Sequence, residues 1–353
     1  MGIRINGSTS GYTEIDAPAE GGNSTAGIIL PSGTTAELPA SGQAGQIRFN
    51  TTTGQMEYWS SNSTTPGWRE ITRPPVEPIT ARLLIVAGGG AGGDQNVGGG
   101  SAGGGGAGGM IAIASQQMLG AYTVTVGAGG ARDTSLGQRV AGANGNNSSI
   151  TKSGDYSINE VAIGGGGGGT DYSGSSATEG QPGGSGGGHG SEISSRPGGN
   201  TGTAGQGNDG GGRNSSNTWN GTYIASGGGG AGSAGSDTRD GGAGLADDIT
   251  GTSVTYAGGG ASGTVSGNGG SGTGGSGGGG NGGSNAQGAD GTDGLGGGGG
   301  GPGGGGGDGI VIIRVPTSAG VTIGAGLTSS SATVGSDTVY SFTAGTGTVT
   351  ITE

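Results

Sequence analysis

The sequence predicts a mainly β protein that combines short strands with extended polyglycine II helices and contains almost no α-helix. Three observations support this fold class. Glycine supplies 103 of the 353 residues, whereas hydrophobic residues reach 27% and aromatic residues 4%, so an apolar core cannot extend through the whole chain. The apolar residues are concentrated in short β-branched runs of strand length. Glycine runs recur between residues 88 and 307, with turn-forming segments between them.

Residues 1–71 have an ordinary composition and predict a small N-terminal β module. Residues 46–50 and 55–59 each alternate in polarity at the period of a strand, and residues 52–54 supply a turn, so we expect a β-hairpin. A module of this size buries little apolar area, so we expect it to associate with copies of itself or to dock onto a larger assembly. The apolar residues that share one face of their strand are Ile47 and Phe49 on the first strand, and Met56 and Tyr58 on the second.

A proline-rich linker is predicted at residues 72–81, where three prolines favour an extended connector. We therefore place a domain boundary there and predict a glycine-rich polyglycine II domain over residues 82–316. β-branched apolar runs open and close this domain, at residues 82–90 and 307–316. These runs would join three further strands in one small sheet. The further strands are expected at residues 109–114, 121–130 and 159–169.

Two interpretations of the glycine runs remain open. A disordered linker is the simpler one, because glycine loses more conformational freedom on ordering than any other residue. Polyglycine II is the alternative, an extended left-handed helix with about three residues per turn. Without a Cβ such helices pack closely, and their backbone groups bond to neighbours on several sides, which replaces an apolar core. Collagen is excluded, because the G-X-Y triplet is not sustained and proline numbers only 11.

Residues 317–353 predict a C-terminal β segment. Threonine, serine and valine alternate in this part of the chain, and we expect two strands joined near Gly345. The apolar face of these strands would consist of Tyr340, Phe342, Val349 and Ile351.

The charge balance excludes several classes of partner. Twelve basic residues stand against 24 acidic ones, a net charge of -12, and the arginines are scattered singly, so we expect no nucleic acid partner.

Cysteine is absent, which excludes disulfides and thiolate metal sites. No apolar run approaches the roughly 20 residues of a membrane span, and the N-terminus lacks the apolar run of a signal peptide. We therefore expect synthesis in a cytoplasm and no membrane insertion.

Catalytic motifs occur only as matches that a glycine-rich chain generates by chance. Ser185 and Ser276 each lie in G-x-S-x-G, but neither follows a predicted strand, and one histidine could not serve both. That histidine, His189, is expected to be an exposed loop residue. We therefore expect no enzyme activity, no catalytic residue and no cofactor.

Two acidic pairs leave a choice between two interpretations. Asp247 with Asp248, and Asp290 with Asp293, are either solvated turns or ligands of a divalent ion. Because flanking ligands cannot be identified, we favour the solvated turns and expect no metal site.

Several stretches of the chain resemble proteins of tailed bacteriophages. Residues 45–71, GQIRFNTTTGQMEYWSSNSTTPGWREI, are similar to small β modules of phage tail-fibre and structural proteins. Residues 7–22, GSTSGYTEIDAPAEGG, resemble fibre N-termini, particularly of phages that infect cyanobacteria. The region from LLIVAGGGAGG through AYTVTVGAGG to GGDGIVIIRV resembles the glycine-rich domain of phage tail proteins. It is also similar to the receptor-recognition adhesins of T-even-type phages, which carry polyglycine II bundles.

The resemblance implies a tail-fibre or tail-tip adhesin of the virion, whose loops recognise a receptor from a rigid glycine scaffold. The N-terminal module would attach to other virion tail proteins, and the chain would form a homo-trimer. The implied receptor is a host cell-surface polysaccharide or an outer-membrane protein. The candidate contact loops, which are those with non-glycine residues, span 132–147, 170–179, 213–223, 237–256 and 281–295.

The third of these loops has a composition suited to sugar binding. Trp219 and Tyr223 lie among asparagines, which allows stacking on a sugar ring together with hydrogen bonds to its hydroxyls. The alternative is that Trp219 caps one end of the glycine bundle. The candidate receptor-contact residues are Tyr172, Asn217, Trp219, Asn220, Tyr223 and Tyr256.

Other functions remain as alternatives to an adhesin. A structural virion fibre or decoration protein would use the glycine domain as a rigid spacer without receptor contact. A surface-polysaccharide depolymerase would have to cleave host glycan. An ice-binding protein can also be built from polyglycine II rods, although the sequence has no regular G-G-X period.

Overall fold

The computed structural model divides into two compact units, Met1–Pro75 and Val76–Glu353. The division falls inside residues 72–81, where we predict a linker. The described residues contain a single 3₁₀ turn and no α-helix, and strands are their main regular element. The structure describes residues 6–7, 13–14, 30–38, 40–42, 46–61, 66–71, 76–95, 100–134, 137–170, 179–191, 200–212, 218–219, 222–264 and 270–353.

The first unit is built around one small sheet. Its elements are β1 (Asn6–Gly7), β2 (Thr13–Glu14), β3 (Ser32–Gly33), the 3₁₀ turn (Thr35–Glu37), β4 (Ile47–Asn50), β5 (Gln55–Ser60) and β6 (Gly67–Glu70). The strand order is β3, β4, β5, β6. β4 and β5 form the predicted antiparallel hairpin, in which Asn50 pairs with Gln55. The hairpin prediction is therefore confirmed.

The second unit combines a large antiparallel sheet with glycine segments. Its strands are β7 (Ile79–Val86), β8 (Ser101–Ala102), β9 (Met110–Met118), β10 (Gly120–Val126), β11 (Ser148–Lys152), β12 (Ile158–Ala162), β13 (Thr218–Trp219), β14 (Thr222–Tyr223), β15 (Leu245–Asp247), β16 (Val254–Tyr256), β17 (Gly263–Thr264), β18 (Ile310–Pro316), β19 (Gly320–Ile323), β20 (Leu327–Val334) and β21 (Asp337–Thr352). The sheet has the order β12, β11, β10, β21, β18, β7, β9, and β19 and β20 also pair with β21.

The two β-branched runs that open and close the glycine-rich region are neighbours in this sheet. β7 and β18 pair antiparallel, with Leu84 opposite Ile312. β7 begins earlier than predicted, at Ile79, because this residue pairs with Met118 of β9. Residues 79–81 therefore belong to the sheet and not to the linker.

The C-terminal residues are an integral part of the same sheet, which corrects the expectation of two strands joined near Gly345. β21 runs without a turn through Gly345, because β18 pairs with its first half and β10 with its second half. Gly345 has a φ of 91° and lies opposite Val126. In the predicted apolar face, Phe342, Val349 and Ile351 are fully buried, whereas Tyr340 is half-buried.

Apolar side chains pack on both faces of the sheet. Since successive strand residues point to opposite faces, β7 contributes Leu83 and Ile85 to one core and Leu84 and Val86 to the other. The first core is completed mainly by Met118, Tyr122, Val124, Ile150, Val311, Ile313, Phe342, Val349 and Ile351. The second is completed by Ala107, Met110, Ala231, Ile249, Tyr256, Ala257, Ile310, Ile312 and Val339. The sheet therefore has a covered layer on each side.

Glycine segments continue directly from the ends of the strands. Ala87, Gly109, Gly127, Ile163 and Gly309 adjoin β7, β9, β10, β12 and β18 respectively. The apolar sheet thereby fixes the relative positions of the glycine segments that extend from it.

The segment at residues 103–109 lies at the centre of the glycine bundle. Its N–H groups donate to three neighbouring segments, at residues 163–169, 226–229 and 296–299. Its carbonyl oxygens accept bonds from three others, at residues 87–93, 185–188 and 260. The donors to one neighbour recur at every third residue: Gly103, Gly106 and Gly109 donate to Gly169, Gly166 and Ile163.

A period of three is what a helix with about three residues per turn produces. Polyglycine II remains our prediction for these segments, and this hydrogen-bond pattern supports it. Because the neighbours surround segment 103–109 on all sides, its backbone groups are satisfied without regular β pairing.

We expect Gly105→Ala to destabilise the second unit by more than about 2 kcal/mol, as overpacking a close-packed interior does. A Cβ built on Gly105 would overlap the carbonyl oxygen of Gly90. Gly305→Ala is the matched control, because a Cβ there would lie 3.2 Å from the Arg132 Cβ, a contact that a small shift relieves. Denaturant unfolding measures both variants, and equal midpoints would contradict close packing as the reason for glycine at position 105.

Candidate functional site

The glycine segments have two ends, and only one of them joins the sheet. At the opposite end Ser101 pairs with Thr264, and the N–H of Ser191 donates to the carbonyl oxygen of Ser101 at 2.9 Å. Thr170 and Asp94 directly follow Gly169 and Gly93, and both of these glycines bond to the backbone of Gly103. We call this the loop end of the bundle, defined by Asp94, Ser101, Thr170, Ser191 and Thr264.

All five predicted contact loops have residues at the loop end or next to it. Loop 170–179 begins there with Thr170. Loop 213–223 follows Gly212, whose N–H donates to Asp237 Oδ1 at 2.7 Å, so loop 237–256 starts beside it. In loop 132–147, the N–H of Asp133 donates to the carbonyl oxygen of Gly303. In loop 281–295, the carbonyl oxygen of Gly283 accepts the N–H of Thr264. Residues 96–99, 171–178, 192–199, 213–217 and 265–269 lie outside the described residues.

The predicted sugar-binding loop contains a short hairpin. β13 and β14 pair antiparallel, with Trp219 opposite Thr222 and Thr218 opposite Tyr223. Trp219 and Tyr223 therefore lie on adjacent strands of one hairpin. Of the other candidate contact residues, Tyr172, Asn217 and Asn220 lie outside the described residues.

Two residues are placed differently from our expectations. Tyr256 is 2% exposed, because loop 237–256 turns back against the sheet and packs Tyr256 and Ile249 into the second core. This burial raises the pKa of the Tyr256 phenol, and a receptor cannot reach it. His189, expected in an exposed loop, is 4% exposed. The backbone N–H of His189 donates to Ser226 Oγ at 2.8 Å inside the bundle.

Carboxylate and carboxamide oxygens hold backbone N–H groups at the margins of the glycine bundle. The distances are 2.7 to 3.0 Å. An acceptor side chain is required there, because an N–H at the margin has no further glycine segment to bond to. The acceptors with their donors are Asn144 with Gly167, Asn147 with Gly164, Asp209 with Gly202, Asp237 with Gly212, Asp240 with Thr273, Asn281 with Gly274, Asp290 with Gly305, Asp293 with Asp308, and Asp308 with Gly129.

The first acidic pair forms ion pairs with Arg82, and Asp248 remains exposed beside a turn. Arg82 Nη2 lies 3.4 Å from Asp247 Oδ1 and 2.8 Å from Asp248 Oδ1. The hydrogen bond from Arg82, together with its charge, lowers the pKa of Asp248. In the second pair, Asp290 binds Arg132 Nη1 at 2.7 Å. Across the described residues, no group of three or more His, Cys, Asp or Glu side chains is close enough to hold a metal ion.

Asp94 is a loop-end residue that the sequence analysis did not single out. Its carboxylate is fully buried, and Oδ2 accepts the N–H groups of Gln138 and Arg139 at 2.6 and 3.1 Å. It thereby fixes loop 132–147 to the end of segment 87–93. The signal available in the sequence is its position, an acidic residue directly after the glycine run AGGGAGG.

A second candidate surface lies on the first unit, where the sheet buries its polar face. Arg48, Asn50 and Glu57 are 5%, 1% and 6% exposed. Asn50 Nδ2 donates to Glu57 Oε1 at 2.8 Å, and Arg48 Nη2 donates to the carbonyl oxygen of Thr34 at 3.0 Å. The opposite face is apolar and open, with Ile47, Phe49, Met56 and Tyr58 each 38 to 40% exposed.

Comparison with known proteins places most of the chain in one family. A family model described as a glycine-rich domain matches residues 64–316, which is more than half of the chain. No curated protein matches the chain. Within the described residues, no helix is long and apolar enough to cross a membrane.

We expect Asp94→Ala to lower the free energy of unfolding by about 2 kcal/mol or more, because it leaves two backbone N–H groups without their acceptor. Asp94→Asn keeps one acceptor oxygen and should be less destabilising. Asp155→Ala is the control, because this side chain is exposed, and we expect a change within about 0.5 kcal/mol. Denaturant titration compares the three variants. If Asp94→Ala is as stable as Asp155→Ala, the carboxylate does not support the loop end.

Proposed function

The chain belongs to the glycine-rich domain family, and we propose that it is a tail-fibre or tail-tip adhesin of a tailed bacteriophage. In this proposal the loop end contacts a receptor on the host surface, and the first unit attaches the chain to other virion tail proteins. The observation that carries the proposal is that residues of the five predicted contact loops meet near the end of the bundle opposite the sheet, while loops 237–256 and 281–295 also reach back to the second core.

The bundle is suited to presenting variable loops. Segments at the loop end are bonded through their backbones to neighbouring segments, as Ser191 is to Ser101 and Thr264 to Gly283. Insertions and substitutions in surface loops are tolerated far better than changes in close-packed elements, and binding residues are concentrated in such loops. A rigid bundle with loops at one end therefore supports recognition whose specificity resides in the loops.

The composition of the hairpin loop favours a saccharide as the receptor. Trp219 and Tyr223 lie on paired strands, and the same loop contains Asn214, Asn217 and Asn220. Aromatic rings offer an apolar face for a sugar ring, while carboxamides bond to its hydroxyls. We therefore propose a host cell-surface polysaccharide as the receptor class, with an outer-membrane protein as the alternative.

The apolar face of the first unit supports a role in self-association. Arg48, Asn50 and Glu57 are linked to one another and to the backbone on its polar face, so the sheet cannot turn its apolar side inward without breaking those bonds. Four exposed apolar side chains on one sheet face form a contiguous patch of the kind that marks interaction sites. The proposed assembly is a homo-trimer held through this face.

A second candidate function is a structural fibre or decoration protein. The close contacts throughout the bundle, where segment 103–109 bonds to segments on all sides, favour a stiff spacer. This function requires no receptor contact by the loops, so a binding measurement separates it from the adhesin.

We expect Trp219→Ala and Tyr223→Ala each to weaken binding of the full chain to host cells about tenfold, since a stacked aromatic contact is worth roughly 1.5 kcal/mol. Binding is measured with labelled protein, in competition with adsorption of the parent phage. Tyr156→Ala is the control, because Tyr156 lies in the turn between β11 and β12, away from the loop end.

Two results would reject the adhesin. One is equal competition by the wild type and by both hairpin variants. The other is cell binding that is indifferent to enzymatic removal of the surface polysaccharide and to protease treatment of the cells. Either result would favour the structural spacer.

We expect Phe49→Lys to reduce the mass of the assembly about threefold, because it places a charge in the centre of the apolar face. Light scattering after size exclusion measures the mass. Val140→Lys is the control, since Val140 is exposed at 52% but lies alone in the second unit. The edge-to-face contact between Trp59 and Trp68, with ring centroids 5.7 Å apart, reports on folding through tryptophan fluorescence. An unchanged mass in a folded variant would remove this face from the proposed assembly.

A further inference from the structure

A cavity of about 260 Å³ lies on the first unit, at the edge of its small sheet. Its lining combines a buried charge with an aromatic ring and polar side chains. Ser32, Glu37 and Gln46 of this lining are exposed, so the cavity is open to solvent. Arg48 and Trp68 also line it.

The cavity lies where the pairing of β3 with β4 stops at a proline. Ser32 of β3 is opposite Phe49 of β4 in a parallel ladder, and the carbonyl oxygen of Pro31 accepts the N–H of Phe49 at 2.9 Å. In a ladder of this register the carbonyl oxygen of Ile47 requires the N–H of residue 31, which proline lacks. Pro31 therefore leaves an acceptor at the edge of β4 that a hydroxyl group can bond.

Arg48 provides a fixed donor beside this acceptor. The residue is 5% exposed, its Nη2 donates to the carbonyl oxygens of Gly33 and Thr34, and its Nε lies 3.5 Å from Glu57 Oε2. These contacts hold the guanidinium in place. The third nitrogen, Nη1, has no partner among the described residues. Since buried donors are normally bonded, Nη1 can be satisfied by a ligand in the cavity.

Glu37 provides a fixed acceptor close to Arg48. Its Oε2 accepts the N–H and the hydroxyl of Thr34 at 2.8 and 3.0 Å. These hydrogen bonds, together with the charge of Arg48, lower the pKa of Glu37, so the carboxylate is ionised at neutral pH. A Cβ built on Gly33 would lie 3.2 Å from Glu37 Oε2 and 3.4 Å from Arg48 Nη2. The donor and the acceptor therefore converge on one point of the lining.

We propose that this cavity binds one ring of a neutral saccharide. An anion is disfavoured because two carboxylates, those of Glu37 and Glu57, lie near the single guanidinium of Arg48. A cation is disfavoured by the guanidinium itself. A sugar ring can accept from Arg48, donate to Glu37 and to the carbonyl oxygen of Ile47, and place its apolar face on Trp68. The volume suits a single ring, since sites for drug-sized ligands measure about 300–1,000 Å³.

The test separates this cavity from the loop end by removing one tryptophan. The chain has three tryptophans, and after Trp219→Ala the remaining two are Trp59 and Trp68, whose rings meet edge to face in the first unit. Tryptophan fluorescence of the full-length variant therefore reports on this unit alone. The probes are methyl glucoside, methyl galactoside and N-acetylglucosamine. We expect at least one of them to give a saturable change in the millimolar range.

Charged sugars test the predicted ligand class. Glucuronate and glucosamine, compared at mildly acidic pH, should bind at least about fivefold more weakly than the best neutral sugar, because each places a charge next to a group of like charge.

Two variants in the Trp219→Ala chain place the binding in the cavity. We expect Gln46→Ala to weaken it about fivefold, because one hydrogen-bonding side chain is lost, and Ser32→Phe to abolish it by filling the cavity. Gln55→Ala is the matched control, since Gln55 is an exposed glutamine of the same hairpin outside the lining. Far-UV circular dichroism establishes that each variant is folded.

Four results would overturn the proposal. They are no saturable change with any of the three neutral sugars, unchanged binding in either folded cavity variant, an equal loss in Gln55→Ala, or tighter binding of a charged sugar than of the neutral ones. The proposal is independent of receptor contact at the loop end, because the Trp219→Ala chain lacks the aromatic ring proposed for that contact.

Discussion

The structure depends on satisfying buried backbone N–H and C=O groups where almost no side chains are present. In an ordinary domain, regular strands or helices do this, and apolar side chains fill the space between them. Here segment 103–109 bonds to neighbours on all sides through its backbone alone. The segments can lie this close together only because glycine has no Cβ, since a Cβ built on Gly105 would overlap the Gly90 carbonyl oxygen. Hydrogen bonding and close packing thus replace the apolar core in this part of the chain.

An unsupported bundle of this kind has a large conformational entropy to overcome, because glycine is the most flexible residue when unfolded. The antiparallel sheet offsets this cost. It buries apolar side chains in two layers, and five of its strands continue into glycine segments, which therefore leave the sheet already aligned. Parallel and antiparallel segments can then find their partners without a long search. The apolar sheet thereby positions the glycine segments of the second unit.

The acidic residues have a structural role that accounts for much of the negative charge. Asp290, Asp293 and Asp308 each accept a backbone N–H at the margin of the bundle, and Asp94 does so for two at the loop end. Each such carboxylate replaces a missing neighbouring segment. Since the margins are satisfied in this way, the loops beyond them are free to vary in sequence. This freedom is the physical basis for proposing receptor contact at the loop end.

The sequence by itself determined the mainly β fold class, the N-terminal hairpin and the strands that frame the glycine-rich region, because alternation, β-branching and glycine content are local properties. Only the tertiary structure decided the rest. β21 passes straight through Gly345 because β18 and β10 hold its two halves. Tyr256 is buried because its loop folds back onto the sheet. Asp248 is ion-paired because Arg82, distant in sequence, lies beside it. In each case the outcome depends on partners brought together by folding, which local patterns do not encode.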